Sequence, residues 1–409
     1  MKYIKRHMEE IVLSLSKSWP VILLTGPRQA GKTTMLKELA AREGTGRKYV
    51  SLDDLNMREM AKNDPQMFLQ LHKPPVLIDE VQYAPELFTY IKIHVDDHHN
   101  PGDFWLTGSQ VFQLMHGVQE SLAGRVALLH MSPLSQREIT GAECIPFTTN
   151  FDTLAEQSKK IEPVTTPELF VRIWNGCMPG LVSDDFPGRD IFYSSYLSTY
   201  VERDVRDLSG TVDALKFIRF ITAVAARCAQ LVNYKAIADD ADIDQITCKN
   251  WINILETLGI VFLLHPYSNN VLKRTIKTPK LYFYDTGLVC YLTRWSSPEV
   301  AESGAMNGAL LENFTVSEIM KSYQNAGKEP FIHYYRDRDA KEINVIMEGD
   351  GKLCPLEIKK TATPDKRLVR TFDVINKSPL QLGTGAVLCM ADHLSAFDRE
   401  NLIVPIWMI

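Results

Sequence analysis

Nine residues, GPRQAGKTT at positions 26 to 34, restrict the fold of this chain more than any other stretch. They follow the apolar run VILLT and lead into MLKELAAR, which has a helical pattern, so the glycines fall between a strand and a helix. Gly26, Gly31, Lys32 and Thr33 satisfy G-x-x-x-x-G-K-[ST] in the strand-turn-helix setting that gives the spacing its meaning. Such a loop turns main-chain N–H groups and a helix N-terminus toward negative charge. The expectation is a phosphate cradle formed by Gly26, Pro27, Arg28, Gln29, Ala30, Gly31, Lys32, Thr33 and Thr34. Within it Lys32 reaches the terminal phosphates of a nucleotide and the Thr33 hydroxyl ligates Mg²⁺. The plainer alternative is a glycine-rich turn with a chance lysine.

A second segment weighs against that alternative. PVLIDE, residues 75 to 80, is a buried-strand pattern that ends in two acids. There Asp79 would hold Mg²⁺ through water and Glu80 would orient or deprotonate an attacking water. The next strand pattern, DFWLTGS, brings Thr107 and Ser109 to the same sheet edge, as sensors of a terminal phosphate or as parts of a plain turn. Arg125 in SLAGRV is a candidate for transition-state charge, in its own subunit or a neighbour's, with an ordinary surface arginine as the alternative.

Between residues 21 and 140 the runs VILLTG, KYVSL, PVLIDE, DFWLTGS and VALLHM alternate with helical patterns, which predicts a largely parallel sheet covered on both faces. Ile4, Met8, Ile11, Val12 and Leu15 predict an amphipathic helix over residues 1 to 20. The plan is a P-loop domain over 1–140, a linker and helical region over 141–230, a winged-helix-like region over 231–300 and a last α/β domain over 301–409. The seven cysteines contain no C-x-x-C pair, so no disulfide framework or zinc site is expected, and reduced thiols fit a cytoplasmic protein. Glu9 and Glu10 precede any long apolar run, which is unlike a secretory signal, and no stretch is long and apolar enough for a membrane span. A net charge of −5 neither demands nor forbids a nucleic-acid partner.

The combination LLTGPRQAGKTT, LIDEVQYAPEL, WLTGSQ and ESLAGRV resembles the AAA+ superfamily ATPases of bacteria and archaea in which an AAA-type domain is joined to a C-terminal DUF4143 domain. YLSTYVERDV, YFYDTGL, LLENF and YYRDRDAKEINVIM…LEIKK follow the order of segments in that family, so the likeness covers nearly the whole chain. It implies a P-loop core with the sheet order of additional-strand ATPases, a winged helix, and a small restriction-endonuclease-like α/β domain.

That last implication meets a specific obstacle. In KEINVIMEGDGKLCPLEIKK, residues 341 to 360, two strand patterns flank a Gly-Asp-Gly turn and place Glu357 and Lys359 on one side of the second strand. A restriction-endonuclease-type site adds a helix acid, for which Glu312 is placed, and an aspartate on the first strand. Similar proteins read E-V-D there; this chain reads Glu342-Ile343-Asn344, and Asn344 offers a neutral carbonyl where a hard cation takes charge. Glu342, one pleat away, is the replacement to weigh, and Asp350 in the turn a weaker one. The expectation is a degenerate remnant that holds a partner or nucleic acid rather than cutting it.

Lys249 and Asn250 would lie early on a recognition helix, but the four aspartates of IADDADID just before it would repel DNA. KKTATPDKRLVR is the better basic footprint. His98 and His99 are read as loop residues, Arg203 and Asp204 as a helix-face ion pair, and Tyr282, Phe283 and Tyr284 as strand core. The function expected is an ATP-binding, Mg²⁺-dependent ATPase whose turnover rearranges the C-terminal parts, acting on DNA, RNA or a protein partner, alone or as an oligomer. The alternatives are an ATP-dependent nuclease rescued by Glu342, and a non-catalytic nucleotide-gated scaffold.

Overall fold

Five parallel strands form the first sheet: β1 (Val21–Thr25), β2 (Lys48–Ser51), β3 (Val76–Asp79), β4 (Phe104–Thr107) and β5 (Val126–His130). Their order is β2-β3-β4-β1-β5, so β4 separates the strand of the P-loop from the strand of Asp79. The computed structural model describes residues 3–108, 121–183, 188–201, 205, 213–268, 278–337, 339 and 341–409. Ser109, Arg203 and Asp204 lie outside the described residues.

The sheet is apolar on both faces because both are covered. Ile22, Leu24, Leu77 and Trp105 pack against α1 (Met8–Leu15) and α2 (Lys32–Glu43). Val21, Leu23, Ile78, Phe104 and Leu106 pack toward α3 (Leu55–Asn63), α4 (Pro65–Leu71) and α5 (Leu87–His98) through Ala61, Phe68, Phe88, Ile91 and Val95. The first helix is shorter than its periodicity predicts: residues 3–7 run without helical structure and set Arg6 against the P-loop.

Short helices follow: α6 (Gln136–Thr140), α7 (Phe151–Ser158), α8 (Thr166–Asn175), α9 (Pro179–Val182) and α10 (Arg189–Tyr196). Ser135 with Glu138, and Thr165 with Glu168, form reciprocal capping boxes that fix where α6 and α8 begin. Next come α11 (Ala214–Ala225), α12 (Tyr234–Ala241) and α13 (Gln245–Thr257), with β7 (Val261–Leu264) and β8 (Lys280–Phe283) as an antiparallel pair. The two-residue strand β6 (Gln230–Leu231) adds to β8. Trp251 on α13 meets Phe217 and Phe220 of α11 edge-on, at 5.6 and 5.1 Å between ring centres.

After α14 (Thr286–Leu292) and α15 (Pro298–Ser303), the long helix α16 (Asn307–Gln324) packs on one face of a second sheet. That sheet holds β9 (Ile332–Arg336), β10 (Glu342–Gly349), β11 (Lys352–Lys359), β12 (Gln381–Leu382), β13 (Gly385–Cys389), β14 (Ser395–Ala396) and β15 (Asn401–Pro405). β9, β10 and β11 are antiparallel, and β13 and β15 continue parallel to β11. A 3-10 segment, Lys366–Lys377, covers the other face with Val369, Phe372 and Ile375. Among the described residues no helix is long and apolar enough to cross a membrane.

Candidate functional site

The P-loop begins where β1 comes closest to the backbone of Met131. A Cβ on Gly26, whose φ is 139°, would lie 2.1 Å from the Met131 carbonyl oxygen, so only glycine fits. Gly31, with φ 92°, turns the chain into α2. Lys32 is buried and donates to the Gly26 and Pro27 carbonyls at 2.9 and 2.8 Å, its ammonium curled over its own loop.

Asp79 lies at the end of β3, buried, and collects three hydroxyls. Thr33 Oγ1 donates to Oδ1 at 2.8 Å, Thr107 donates to the same oxygen, and Tyr49 donates to Oδ2 at 3.1 Å. Burial and the neighbouring Asp79 charge push the Tyr49 phenol up to about 12. Glu80 follows in a left-handed turn with φ 56°, a conformation of order 1 kcal/mol or more for a non-glycine residue. The Glu80 amide donates to Thr107 Oγ1 at 3.2 Å, and Gln82 donates to its carboxylate. Lys32, Thr33, Thr34 and Glu80 line a hollow of about 500 Å³ together with Arg28, Asp53, Arg58 and Tyr83.

A second hollow, of about 300 Å³, opens on the other side of the P-loop. Gln29, Gly31 and Thr34 line both; here they are joined by Tyr3, Ile4, Leu134, Pro179 and Phe192. One hollow is polar and charged, the other largely apolar. His130, at the end of β5, is held to about 4 by burial and by the Lys32 charge, so it is neutral beside the cradle.

Arg6 ties this site to the rest of the chain. It is buried and donates to Ala30 O at 2.6 Å, to Ser132 O at 2.8 Å and to Glu138 Oε1 at 2.9 Å. Nothing in the motif spacing signals Arg6, Tyr49, Asp53 or Arg58; they come to the site from the segment before α1, from β2, from the β2–α3 connection and from α3 respectively.

Arg125 is elsewhere. It immediately precedes β5, whereas the P-loop leaves β1 at the level of His130, the far end of β5. Those ends are separated by about 16 Å at strand rise. Its guanidinium pairs with Asp96 of α5 through Nε at 2.5 Å and Nη2 at 2.9 Å. Of the readings open for Arg125, a role in its own subunit's site is not favoured by this placement: a parallel sheet puts the start and the end of β5 on opposite edges.

The C-terminal candidates do meet, with a visitor among them. Asn344 Nδ2 donates to Glu312 Oε2 at 2.9 Å, and its Oδ1 accepts the Ile358 amide at 2.9 Å. Lys359 pairs with Glu357 at 2.7 Å. Glu342 extends toward the cluster as the pleat predicts, but meets Lys280 of β8 at 2.5 Å. Asp350 is excluded: it sits at the β10–β11 turn, with φ 51°, at the opposite end of β11 from Glu357. Glu357 is 8% exposed, so it is a buried carboxylate rather than a solvated strand-end one. Burial pushes its carboxyl up against the pull of Lys359, and Glu312 and Glu342 add to the rise. A raised folded pKa means that this group's contribution is present below the ordinary carboxyl range, about 4.3, and is lost as pH rises through the folded value. Glu357→Gln is therefore expected to melt above wild type at neutral pH, with the difference closing toward pH ~4 in thermal scans.

Three of the four aspartates before α13 have local partners. Asp240 pairs with Arg227 at 2.5 Å, Asp242 with Lys216 at 3.0 Å, and Asp244 caps α13 through the amides of Ile246 and Thr247. Lys249 and Asn250 are exposed on α13. His98 ends α5 rather than lying in a loop, and its ring stacks on His94 one turn earlier at 4.2 Å. Tyr282, Phe283 and Tyr284 are core, as predicted, and Tyr282 also turns its hydroxyl onto Glu312 at 2.8 Å.

Three family models match the chain. Residues 18–140 match an AAA domain, residues 166–299 a domain of unknown function (DUF8612), and residues 307–409 a domain of unknown function (DUF4143). Uncharacterized proteins of Mycobacterium tuberculosis and Mycobacterium bovis are each 28% identical over 387 residues, which is 94% of this chain and 80% of theirs. An uncharacterized protein of Methanocaldococcus jannaschii is 24% identical over 345 residues, 76% of this chain and 68% of its own. Among solved structures, a Walker-type ATPase of Pyrococcus abyssi superposes with a TM-score of 0.43 at 16% identity, covering 71% of this chain and 96% of its own. AMPPCP-bound DnaA of Aquifex aeolicus gives 0.30 at 19% identity, over 61% of this chain and 85% of its own.

Proposed function

We propose that this chain, an AAA-type P-loop protein with a DUF4143 C-terminal domain, binds ATP and hydrolyses it with Mg²⁺. The observation that carries the reading is the convergence of Thr33, Asp79, Thr107 and Glu80 beside Lys32 at one sheet edge. A ligand that is polyanionic at one end and a flat ring at the other matches the pair of hollows that share the P-loop. The triphosphate takes the polar one and the adenine the apolar one, against Ile4, Leu134 and Pro179.

The donor set suits a small hard cation: a hydroxyl and a carboxylate, 2.8 Å apart, on elements fixed by the sheet. Mg²⁺ held by Thr33 and Asp79 would neutralise charge developing on the transferred phosphoryl group. Lys32 exchanges its two loop carbonyls for phosphate oxygens, so its ammonium is pre-positioned at the loop before ATP arrives. Glu80, aimed into the polar hollow by its left-handed backbone, accepts the proton of the attacking water. Thr107 holds Asp79 and the Glu80 amide in register with each other. Arg125, 32% exposed and paired with Asp96 at the other sheet edge, is left a role only toward a neighbouring subunit's site. Coupling to a nucleic acid or protein partner runs through α13 and the C-terminal sheet.

Calorimetry of Mg²⁺-ATP uptake tests the core of the reading. Wild type is expected to show saturable binding that Lys32→Ala weakens by roughly 10²-fold, the order expected for charge-assisted contacts to phosphate in a buried site. Uptake unchanged in Lys32→Ala, or no uptake in wild type, would refute it.

A further inference from the structure

Lys280 opens β8 with its side chain only 3% exposed, and its ammonium ends among carboxylates of another part of the fold. Nζ donates to Glu312 Oε1 at 2.9 Å and to Glu342 Oε1 at 2.5 Å. Tyr282, two residues on and therefore on the same face of β8, donates to Glu312 Oε1 at 2.8 Å. Asn344 Nδ2 donates to the other Glu312 oxygen, Oε2. Arg336 stands 3.7 Å from Glu342, and Lys359 2.7 Å from Glu357. Three carboxylates thus face three cations.

A metal-dependent phosphodiester site built from a helix acid, a first-strand acid and an E-x-K pair would need those oxygens free to surround a divalent ion. Here the residues do not fit one. Both oxygens of Glu312 are already engaged, one oxygen of Glu342 is engaged by Lys280, and among the described residues no group of three acidic, histidine or cysteine side chains is arranged to hold a metal. Asn344 belongs to the same logic. Its amide donates to Glu312 while accepting the Ile358 amide across the splayed ends of β10 and β11, and a carboxylate there would lose the donor and add repulsion.

We propose that Lys280 is the resident cation of this cluster: its ammonium does the work of charge neutralisation that a divalent metal does in an active nuclease of this shape, and in doing so fastens the β7–β8 hairpin to α16 and β10. A metal entering the cluster would have to evict Lys280 and leave an ammonium buried without its partners, which is strongly unfavourable. The inference is independent of the ATPase reading, since none of these side chains touches the P-loop site.

The test uses the nucleotide-free full chain and Mn²⁺ as the probe, followed by calorimetry and thermal melting. Wild type and Glu357→Gln are expected to respond to Mn²⁺ identically, because the cluster takes none. The double variant Lys280→Ala/Asn344→Asp is expected to melt below wild type in EDTA and to gain a saturable Mn²⁺ site, at least about tenfold tighter than any in wild type, that raises its melting temperature. Adding Glu357→Gln to the double variant is expected to weaken that new site. Mn²⁺ uptake by wild type that Glu357→Gln abolishes would overturn the proposal, as would a folded double variant indifferent to Mn²⁺. Should the double variant fail to fold, the comparison of wild type with Glu357→Gln still decides, and Lys280→Arg melting near wild type supports the cationic role where Lys280→Met melting as well as wild type contradicts it.

Discussion

Glutamine at position 80 is expected to leave ATP bound and phosphate release slowed by roughly 10²–10⁴-fold, the contribution of a positioned general base. The substitution keeps the size of the side chain and its contact with Gln82, and leaves the Thr33–Asp79–Thr107 set untouched, so the nucleotide still docks. What is lost is the acceptor for a proton from water. Steady-state phosphate release read beside ATP retention on a filter separates the two effects. If Glu80→Gln turned ATP over at the wild-type rate, the assignment of Glu80 would fail, and if that rate were also near zero with binding undiminished, a nucleotide-gated scaffold would become the better account.

Arg6→Ala is expected to be the most damaging substitution outside the motifs, at about 3–5 kcal/mol of folding stability, because it strands a buried partner charge. Burial alone would push the Glu138 carboxyl up; the charge of Arg6 and its hydrogen bond, with the Ser135 and His7 amides, hold it below the ordinary carboxylate value. The sign follows from that direction. A depressed folded pKa gives stability that is present above the unfolded value and is lost as pH falls through the folded one, so the gap between wild type and Arg6→Ala should narrow in acid. Two backbone carbonyls, Ala30 and Ser132, lose their donor as well, and the first lies within the phosphate loop. ATP affinity should therefore fall along with the melting temperature. Equal ATP affinity in a destabilised variant would separate the fold's need for Arg6 from the loop's.

The parallel sheet was legible because its three central strands, β1, β3 and β4, are buried at every position and so read as unbroken apolar runs between turn residues, while the edge strands β2 and β5 are partly exposed. The loop between β1 and α2 was legible because its turn depends on backbone conformation, and glycine spacing records backbone: Gly26 has φ 139° and Gly31 φ 92°. Tyr49 and Arg6 were not, since each reaches the site by a side chain from an element whose own pattern says only strand or entry segment. The sheet order, too, depends on which strand inserts between two others, which no local pattern carries. Lys280 illustrates the limit most sharply. In sequence it is one lysine between a proline and an apolar run, 32 residues from Glu312, and its meaning arises only when β8 is laid against α16. Asn344 pointed to the missing charge; what replaced it lay in another part of the chain.

Helix α16 grips both halves of the molecule. Near its C-terminal end Lys321 reaches the Leu134 carbonyl at 3.1 Å and Glu318 accepts the Gln136 amide at 2.8 Å, with 2.5 Å between the two side chains. About two and a half turns before Lys321, Glu312 holds the lysine of the hairpin. At helical rise these grips are about 13 Å apart along one stiff rod. The segment after β5 and the distant sheet are thereby tied to one rod, and sliding that rod along its axis would part the ion pair of buried Lys280 at one end and the bonds to Leu134 and Gln136 at the other, at a cost far above that of a rigid displacement of the whole.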